Sequence, residues 1–116
     1  MVESYPDLNE QVHSLMQKYA KESPDVMDGF MQIHKSASQD AALPKKMKEL
    51  ISLGIAICVR CDGCIAFHVH DALEKGATRD EIVETIGVAI LMGGGPSVVY
   101  GSQALRALEE FQEEKE

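Results

Sequence analysis

The chain has 116 residues, of which 45% are hydrophobic and 26% charged, and its formal net charge is -8. This length suits one globular domain over residues 1–116 and is too short to predict two. The negative charge argues against nucleic acid and anionic membranes as partners, because both attract clustered Lys and Arg. No apolar run reaches the ~20 residues of a membrane span, and no secretory signal pattern is present, so we expect a cytoplasmic protein.

Helical periodicity recurs along almost the whole sequence, and no strand-type alternation or hairpin turn signal is found. A first helix is predicted to stop before Ser23 and Pro24, which suit the N-cap and first position of a second helix. A polar linker, Ser36 to Leu43, follows the second helix. The stripes of these two helices comprise Leu8, Val12, Leu15, Met16, Tyr19, Val26, Met27, Phe30, Met31 and His34.

Pro44 is predicted to open a third helix that runs to Val59 and whose far end is apolar on nearly every face. After a cluster of cysteines, a fourth helix continues over residues 65–75. Gly76 suits the C′ position that ends this helix, because glycine adopts a left-handed backbone without penalty.

Thr78 and Glu81 have the spacing of a capping box, which predicts the start of a fifth helix. A break is predicted at Gly93–Gly95, with Pro96 as the first residue of a sixth helix that frays into an acidic end. The pattern therefore predicts an all-α bundle of about six helices. Because the third and fifth helices are apolar on more than one face, we also expect a homo-oligomer.

Three cysteines and two histidines lie between Cys58 and His70, in a chain with three cysteines in all. Cys61 and Cys64 form a C-x-x-C at a helix start, where Cα atoms about 5–6 Å apart allow a disulfide. Helix N-terminal N–H groups lower a thiol pKa and favour the reactive thiolate. His68 lies one turn beyond Cys64 on the same helix face, so it can accept the thiol proton.

Glu49 is a candidate partner for His68. If the third and fourth helices form an antiparallel hairpin, Glu49 lies within about one turn of His68 and orients the imidazole, which completes an acid, base and nucleophile. Taken alone, Glu49 is an ordinary charge at a helix start. The order of attack stays open, because the position at the helix start favours Cys61 whereas the proximity of His68 favours Cys64.

Two alternatives compete with a redox pair. Cys58, Cys61 and Cys64 form C-x2-C-x2-C, and His68 stands where a fourth ligand would come, so an iron–sulfur or zinc site is one alternative. Against it, Cys58 ends an apolar helix and is most simply a small buried hydrophobe. The other alternative is a non-catalytic redox-sensing oligomer. Three further histidines, expected at the surface or in ordinary hydrogen bonds, are given no chemical role: His13, His34 and His70.

The pattern of Glu49, eleven residues, Cys61-x-x-Cys64, three residues and His68, followed by K-G-A-T and a glycine turn, resembles the carboxymuconolactone decarboxylase family. Within it, the resemblance is to the alkylhydroperoxidase D-like branch, and it covers Pro44 to Gly101. It implies an all-helical fold that forms trimers or hexamers. It also implies thiol-dependent peroxidase or disulfide-reductase activity without a cofactor or metal, on a hydroperoxide or disulfide, with a thiol reductant or partner redox protein.

The resemblance also implies residue roles. Cys64 corresponds to the peroxide-attacking thiol, Cys61 to its resolving and partner-facing mate, His68 to the base and Glu49 to the relay acid. The branch usually has His just before the second cysteine, where this chain has Gly63, so a shorter relay and lower peroxidase rates are expected. The decarboxylase branch lacks the cysteine pair, and lactone decarboxylation is therefore not expected.

Overall fold

The computed structural model describes residues 2–115 and confirms the predicted all-α fold class, with six helices and, over these residues, no strand. Met1 and Glu116, the ends of the predicted domain, lie outside the described residues. Within them, none of the helices has the length and apolarity needed to cross a membrane. The helices are α1 Tyr5–Glu22, α2 Pro24–Ala37, α3 Lys45–Cys58, α4 Asp62–Glu74, α5 Arg79–Gly93 and α6 Gly95–Lys115.

Two predicted helix-end signals are confirmed. Thr78 Oγ1 accepts the backbone N–H of Glu81 at 3.1 Å, while Glu81 Oε1 accepts the N–H of Thr78 at 2.9 Å, so the capping box is complete. Gly76 follows the C-cap Lys75 with φ of 91°, a left-handed conformation that disfavours residues with a Cβ.

Some predicted boundaries were wrong by one or two residues. The linker between α2 and α3 starts at Ser38 and not at Ser36, because the backbone N–H of Ser38 still completes a helical bond to the carbonyl of His34 at 3.0 Å. Pro44 is the extended N-cap of α3, with ψ of 158°, and the helix itself begins at Lys45.

The break between α5 and α6 is shorter than the glycine run predicted. Only Gly94 leaves the helical conformation, at φ of 70°, and α6 starts at Gly95 with Pro96 in its second position. Proline is tolerated there because the first-turn N–H groups have no partner within the helix. The acidic end is also more ordered than expected, since α6 continues to Lys115.

Helix α3 lies between α4 and α5 and also contacts α6, whereas α1 packs on α4 and α6. Helix α2 packs mainly on α1 and has no buried residue, so its predicted apolar stripe does not enter the core of the chain. The largest fully buried side chains are Tyr5, Leu53, Ile57, Ile65, Ile82, Leu108, Val69 and Ser97.

Candidate active site

The cysteine pair lies where α3 turns into α4. The two helices form the antiparallel hairpin inferred from the sequence, and the backbone N–H of Cys61 donates to the carbonyl of Ala56 at 3.1 Å across the turn. Arg60 makes the reversal with φ of 61°, a left-handed conformation rare for residues with a Cβ. The next residue, Cys61, is then the N-cap of α4.

Cys61 and Cys64 are joined by a disulfide, with Cα atoms 5.2 Å apart. This separation agrees with the spacing predicted for a C-x-x-C in a first helical turn. Both residues are half-buried. The backbone N–H of Cys64 donates to Cys61 Sγ at 3.2 Å, so the Cys61 sulfur occupies the position of a capping acceptor, where negative charge is favoured.

Glu49 and His68 are in direct contact, as the hairpin predicted. Glu49 Oε2 lies 2.8 Å from His68 Nδ1, and Glu49 is only 6% exposed. A buried carboxylate needs a polar partner, and a carboxylate accepts only, so the bond requires a proton on Nδ1. In the neutral imidazole that tautomer leaves Nε2 unprotonated and free to take a proton.

Cys58 belongs to a different part of the molecule. Its thiol faces the carbonyl of Ala89 at 3.5 Å and Ser97 Oγ at 3.9 Å, at the contact of α3 with α5 and α6. A Cβ added to Gly93 would overlap the Ser97 side chain and come within 3.3 Å of this sulfur, so the glycine permits the close packing of the turn. Cys58 is half-buried against the core, close to the small hydrophobe that we expected.

The four donors of the metal alternative therefore do not converge. Cys58 faces α5 and α6, whereas His68 faces Glu49 across the α3–α4 hairpin. Over residues 2–115, no three or more His, Cys, Asp and Glu side chains are arranged so that they could hold a metal ion.

Helix α1 covers the other side of the motif, although no sequence pattern predicts this contact. The hydroxyl of Tyr5 lies 2.7 Å from Gln103 Oε1 and 3.4 Å from the carboxylate of Asp62, the residue after Cys61. Burial raises the pKa of Tyr5, and the charge of Asp62 raises it further. No local signal reveals this contact, because it joins residues 57 positions apart.

Gly63 has a packing reason in this chain. A Cβ at this position would lie 3.1 Å from Val12 Cγ2 on α1, closer than most real Cβ contacts. A histidine here would therefore require the Val12 side chain to give way by a few tenths of an ångström. The departure from the usual branch pattern goes with the close approach of α1.

His13 and His34 surround Phe67, next to the candidate base. The rings of His13 and Phe67 are stacked, with centroids 4.9 Å apart, and His34 meets Phe67 edge-on at 6.3 Å. Phe67 in turn lies 5.4 Å from the ring of His68. His13 Nδ1 donates to the carbonyl of Asn9 at 2.9 Å, which fits the hydrogen-bonded role expected for it.

The sequence pattern of the carboxymuconolactone decarboxylase family matches residues 24–110. The chain belongs to this family. An uncharacterized protein from Cupriavidus necator is 43% identical over 82 residues, which are 71% of this chain and 73% of that protein. The match to the family extends beyond the Pro44–Gly101 segment that carried the resemblance and includes all of α2.

Solved structures of the carboxymuconolactone decarboxylase family share the whole fold. A family protein from Legionella pneumophila is 42% identical with a TM-score of 0.89, over 92% of this chain and 96% of that one. A family protein from Thermotoga maritima, for which a part in an antioxidative response has been suggested, is 27% identical with a TM-score of 0.83, over 94% of this chain and 92% of that one. The six-helix arrangement is therefore that of the family.

Proposed function

We propose that this chain is a thiol-dependent redox enzyme that reduces a hydroperoxide or a disulfide by cycling Cys61 and Cys64 between dithiol and disulfide. The observation that carries the proposal is the 2.8 Å contact between Glu49 and His68. The proposal is supported because this contact lies in the same hairpin that brings the two sulfurs within bonding distance. A thiol with an adjacent base and an acid to orient it is a recurring arrangement of activated nucleophiles.

The proton relay begins at Glu49. Its carboxylate holds the proton of His68 on Nδ1, so Nε2 is the nitrogen that accepts a proton. Cys64 precedes His68 by one helical turn on the same face of α4, so the thiol of Cys64 is the proton donor. Proton transfer leaves the Cys64 thiolate, which is the nucleophilic form.

In the peroxidase reaction, the Cys64 thiolate attacks one oxygen of the hydroperoxide. The O–O bond breaks, Cys64 becomes a sulfenic acid, and the leaving alkoxide takes a proton and departs as an alcohol. Cys61 then attacks the Cys64 sulfur, water leaves, and the disulfide forms. The helix N–H that reaches Cys61 Sγ favours the thiolate that this second attack requires.

A thiol reductant returns the pair to the dithiol state. Its thiolate attacks Cys61, to which the family resemblance gives the partner-facing role, and Cys64 leaves with a proton supplied from His68. A second thiol of the reductant then attacks the mixed disulfide and releases Cys61. Two electrons and two protons enter the protein, and the reductant becomes a disulfide. A disulfide substrate is reduced by the same exchange in the opposite direction: the dithiol of Cys61 and Cys64 gives two electrons to the substrate and becomes the disulfide.

Turnover of hydroperoxide with a dithiol reductant tests the proposal, with three serine variants compared. Cys64→Ser should abolish turnover, and Cys61→Ser, treated with hydroperoxide in the absence of the reductant, should stop after one oxidation with a sulfenic acid on Cys64. Cys58→Ser is the matched control, because it removes a thiol that faces away from the hairpin, and it should turn over at the wild-type rate.

Three results would contradict the proposal. Reversible oxidation of the pair without turnover of any peroxide or disulfide would indicate the redox-sensing alternative. If hydroperoxide still oxidises Cys64→Ser and forms a sulfenic acid on Cys61, then Cys61, and not Cys64, is the attacking thiol. Loss of activity in Cys58→Ser alone would place the chemistry elsewhere.

A further inference from the structure

We propose that Tyr5 is a positioning residue for the redox pair: its hydroxyl holds the Asp62 carboxylate on the side of α4 away from Cys64 and so sets the thiol–disulfide equilibrium of Cys61 and Cys64. The inference rests on the proposed function, because it requires the pair to be redox-active. It adds a residue from α1, remote in sequence, to the control of the C-x-x-C.

The geometry places the phenol between two side chains. Tyr5 is fully buried, and its hydroxyl lies 2.7 Å from Gln103 Oε1 on α6 and 3.4 Å from Asp62 Oδ1. Both acceptors are within hydrogen-bond reach of the hydroxyl, and the nearer Gln103 competes with Asp62 for its proton. If the Gln103 amide turns over, its N–H group donates to the phenol and the hydroxyl proton passes to Asp62.

Tyr5 is fixed in place by α6. Its backbone N–H donates to Glu110 Oε1 at 2.8 Å, and Arg106 lies over its ring at 5.6 Å. Arg106 also binds Glu110 at 3.1 Å and the backbone carbonyls of Val2 and Glu3. These contacts with α6 hold the phenol at the end of α4 where Asp62 lies.

The location of Asp62 determines what its charge does to the sulfurs. Asp62 and Cys64 are two residues apart, so they project from nearly opposite sides of α4. A carboxylate released from Tyr5 would be free to turn towards the first-turn N–H groups of α4, which also stabilise a Cys61 or Cys64 thiolate. Competition for those groups, together with like-charge repulsion, disfavours the thiolate.

The phenol suits this task over a wide pH range. Burial, and then the neighbouring Asp62, raise the pKa of Tyr5, so the hydroxyl keeps the proton that it donates. The hydroxyl is also out of reach of solvent, since no part of Tyr5 is exposed. Water therefore does not compete with Asp62 or Gln103 for it.

The test measures the equilibrium between the protein disulfide and dithiothreitol, which reduces it by two electrons and becomes a cyclic disulfide. Tyr5→Phe should shift the equilibrium towards the protein disulfide by about three- to tenfold, where tenfold corresponds to about 30 mV. Asp62→Asn should shift it towards the dithiol. The double variant should behave like Asp62→Asn, because no charge is left to release.

Two further variants make the test independent of folding defects. Tyr19→Phe removes a hydroxyl from an exposed part of the same helix and should leave the equilibrium unchanged. Gln103→Leu removes the competing acceptor, so the phenol donates fully to Asp62 and the equilibrium should move towards the dithiol. If Tyr5→Phe does not fold, Gln103→Leu is measured with and without Asp62→Asn. The inference then requires that Gln103→Leu shifts the equilibrium only when the Asp62 charge is present.

Equal shifts for Tyr5→Phe in the presence and absence of the Asp62 charge would overturn the inference, because the phenol would then act through packing alone. An unchanged equilibrium in Asp62→Asn would do the same. Turnover and reversible oxidation in the wild-type protein together with either result would leave the proposed function intact. A wild-type pair that cannot be reduced and reoxidised would contradict both.

Discussion

The two sides of α3 differ in what they leave exposed. Towards α4, α3 presents Glu49, a charged side chain that is 6% exposed and bonded to His68. Towards α5, α3 presents Ile51 and Ile55, which are 46% and 58% exposed although they are apolar. Together with residues of α5, this second side lines a cavity of about 610 Å³ that ends near Cys58.

In most proteins, charged side chains are exposed and large apolar side chains are buried, so both sides of α3 depart from the usual pattern. On the α4 side, the buried carboxylate of Glu49 has a hydrogen-bond partner within the same chain, because it contacts His68. On the α5 side, none of residues 2–115 covers these apolar groups. We infer that the chemistry resides in each chain, and we predict that the apolar side is buried between copies.

The first prediction concerns the buried side and has the largest expected effect. Glu49→Gln keeps the shape of the side chain but removes the charge that stabilises protonated His68. Because general-base catalysis typically contributes ~10²–10⁴-fold, the peroxide or disulfide reaction near neutral pH should slow by at least about tenfold. Stopped-flow rates of disulfide formation measure this directly.

The pH profile separates a lost relay from a damaged pocket. Between about pH 6 and 9 the rate of Glu49→Gln should recover, because a thiol that ionises unaided no longer needs a base. Glu113→Gln, which neutralises an exposed acid on α6, is the matched control and should follow the wild-type profile. A wild-type profile for Glu49→Gln would remove the relay and leave the cysteine pair in place.

The second prediction concerns the apolar side. The wild-type chain should sediment as an oligomer at micromolar concentration, and Ile55→Lys should weaken the association by at least about tenfold, since a desolvated charge replaces apolar contact. Leu15→Lys, at a similarly exposed apolar site on α1, is the control and should leave the oligomer unchanged. A stable wild-type monomer would contradict the prediction.

The buried side was easier to predict than the exposed side, for a physical reason. Glu49 and His68 lie on the two arms of one tight turn, and their distances from it differ by less than one helical turn, so a hairpin alone brings them together. Tyr5 meets Asp62 only through the packing of α1 on α4, which leaves no trace in local spacing. Periodicity likewise showed that α2 is amphipathic, but it did not show that Phe30 remains exposed in a single chain.

The last prediction has the smallest effect and concerns Glu81, at the edge of the apolar side. The N–H of Thr78, and then Lys46 at 2.9 Å, hold the pKa of Glu81 below its ordinary value. A lowered folded-state pKa means that the ionised acid stabilises the fold above its unfolded pKa of about 4.3, and that this stabilisation is lost as the pH falls through the folded value. Glu81→Gln should therefore be less stable than wild type near neutral pH.

In acid the difference should close, because wild-type Glu81 is then protonated and resembles the amide. Thermal unfolding of both proteins from about pH 7 down to pH 3 measures this convergence. Thr78→Ala removes the other half of the capping box and should destabilise the fold by about 1 kcal/mol at both ends of this range, since its hydroxyl does not titrate. A gap between Glu81→Gln and wild type that persists unchanged in acid would mean that Glu81 acts through packing at the cavity edge, and that its charge contributes nothing to the join between α3 and α5.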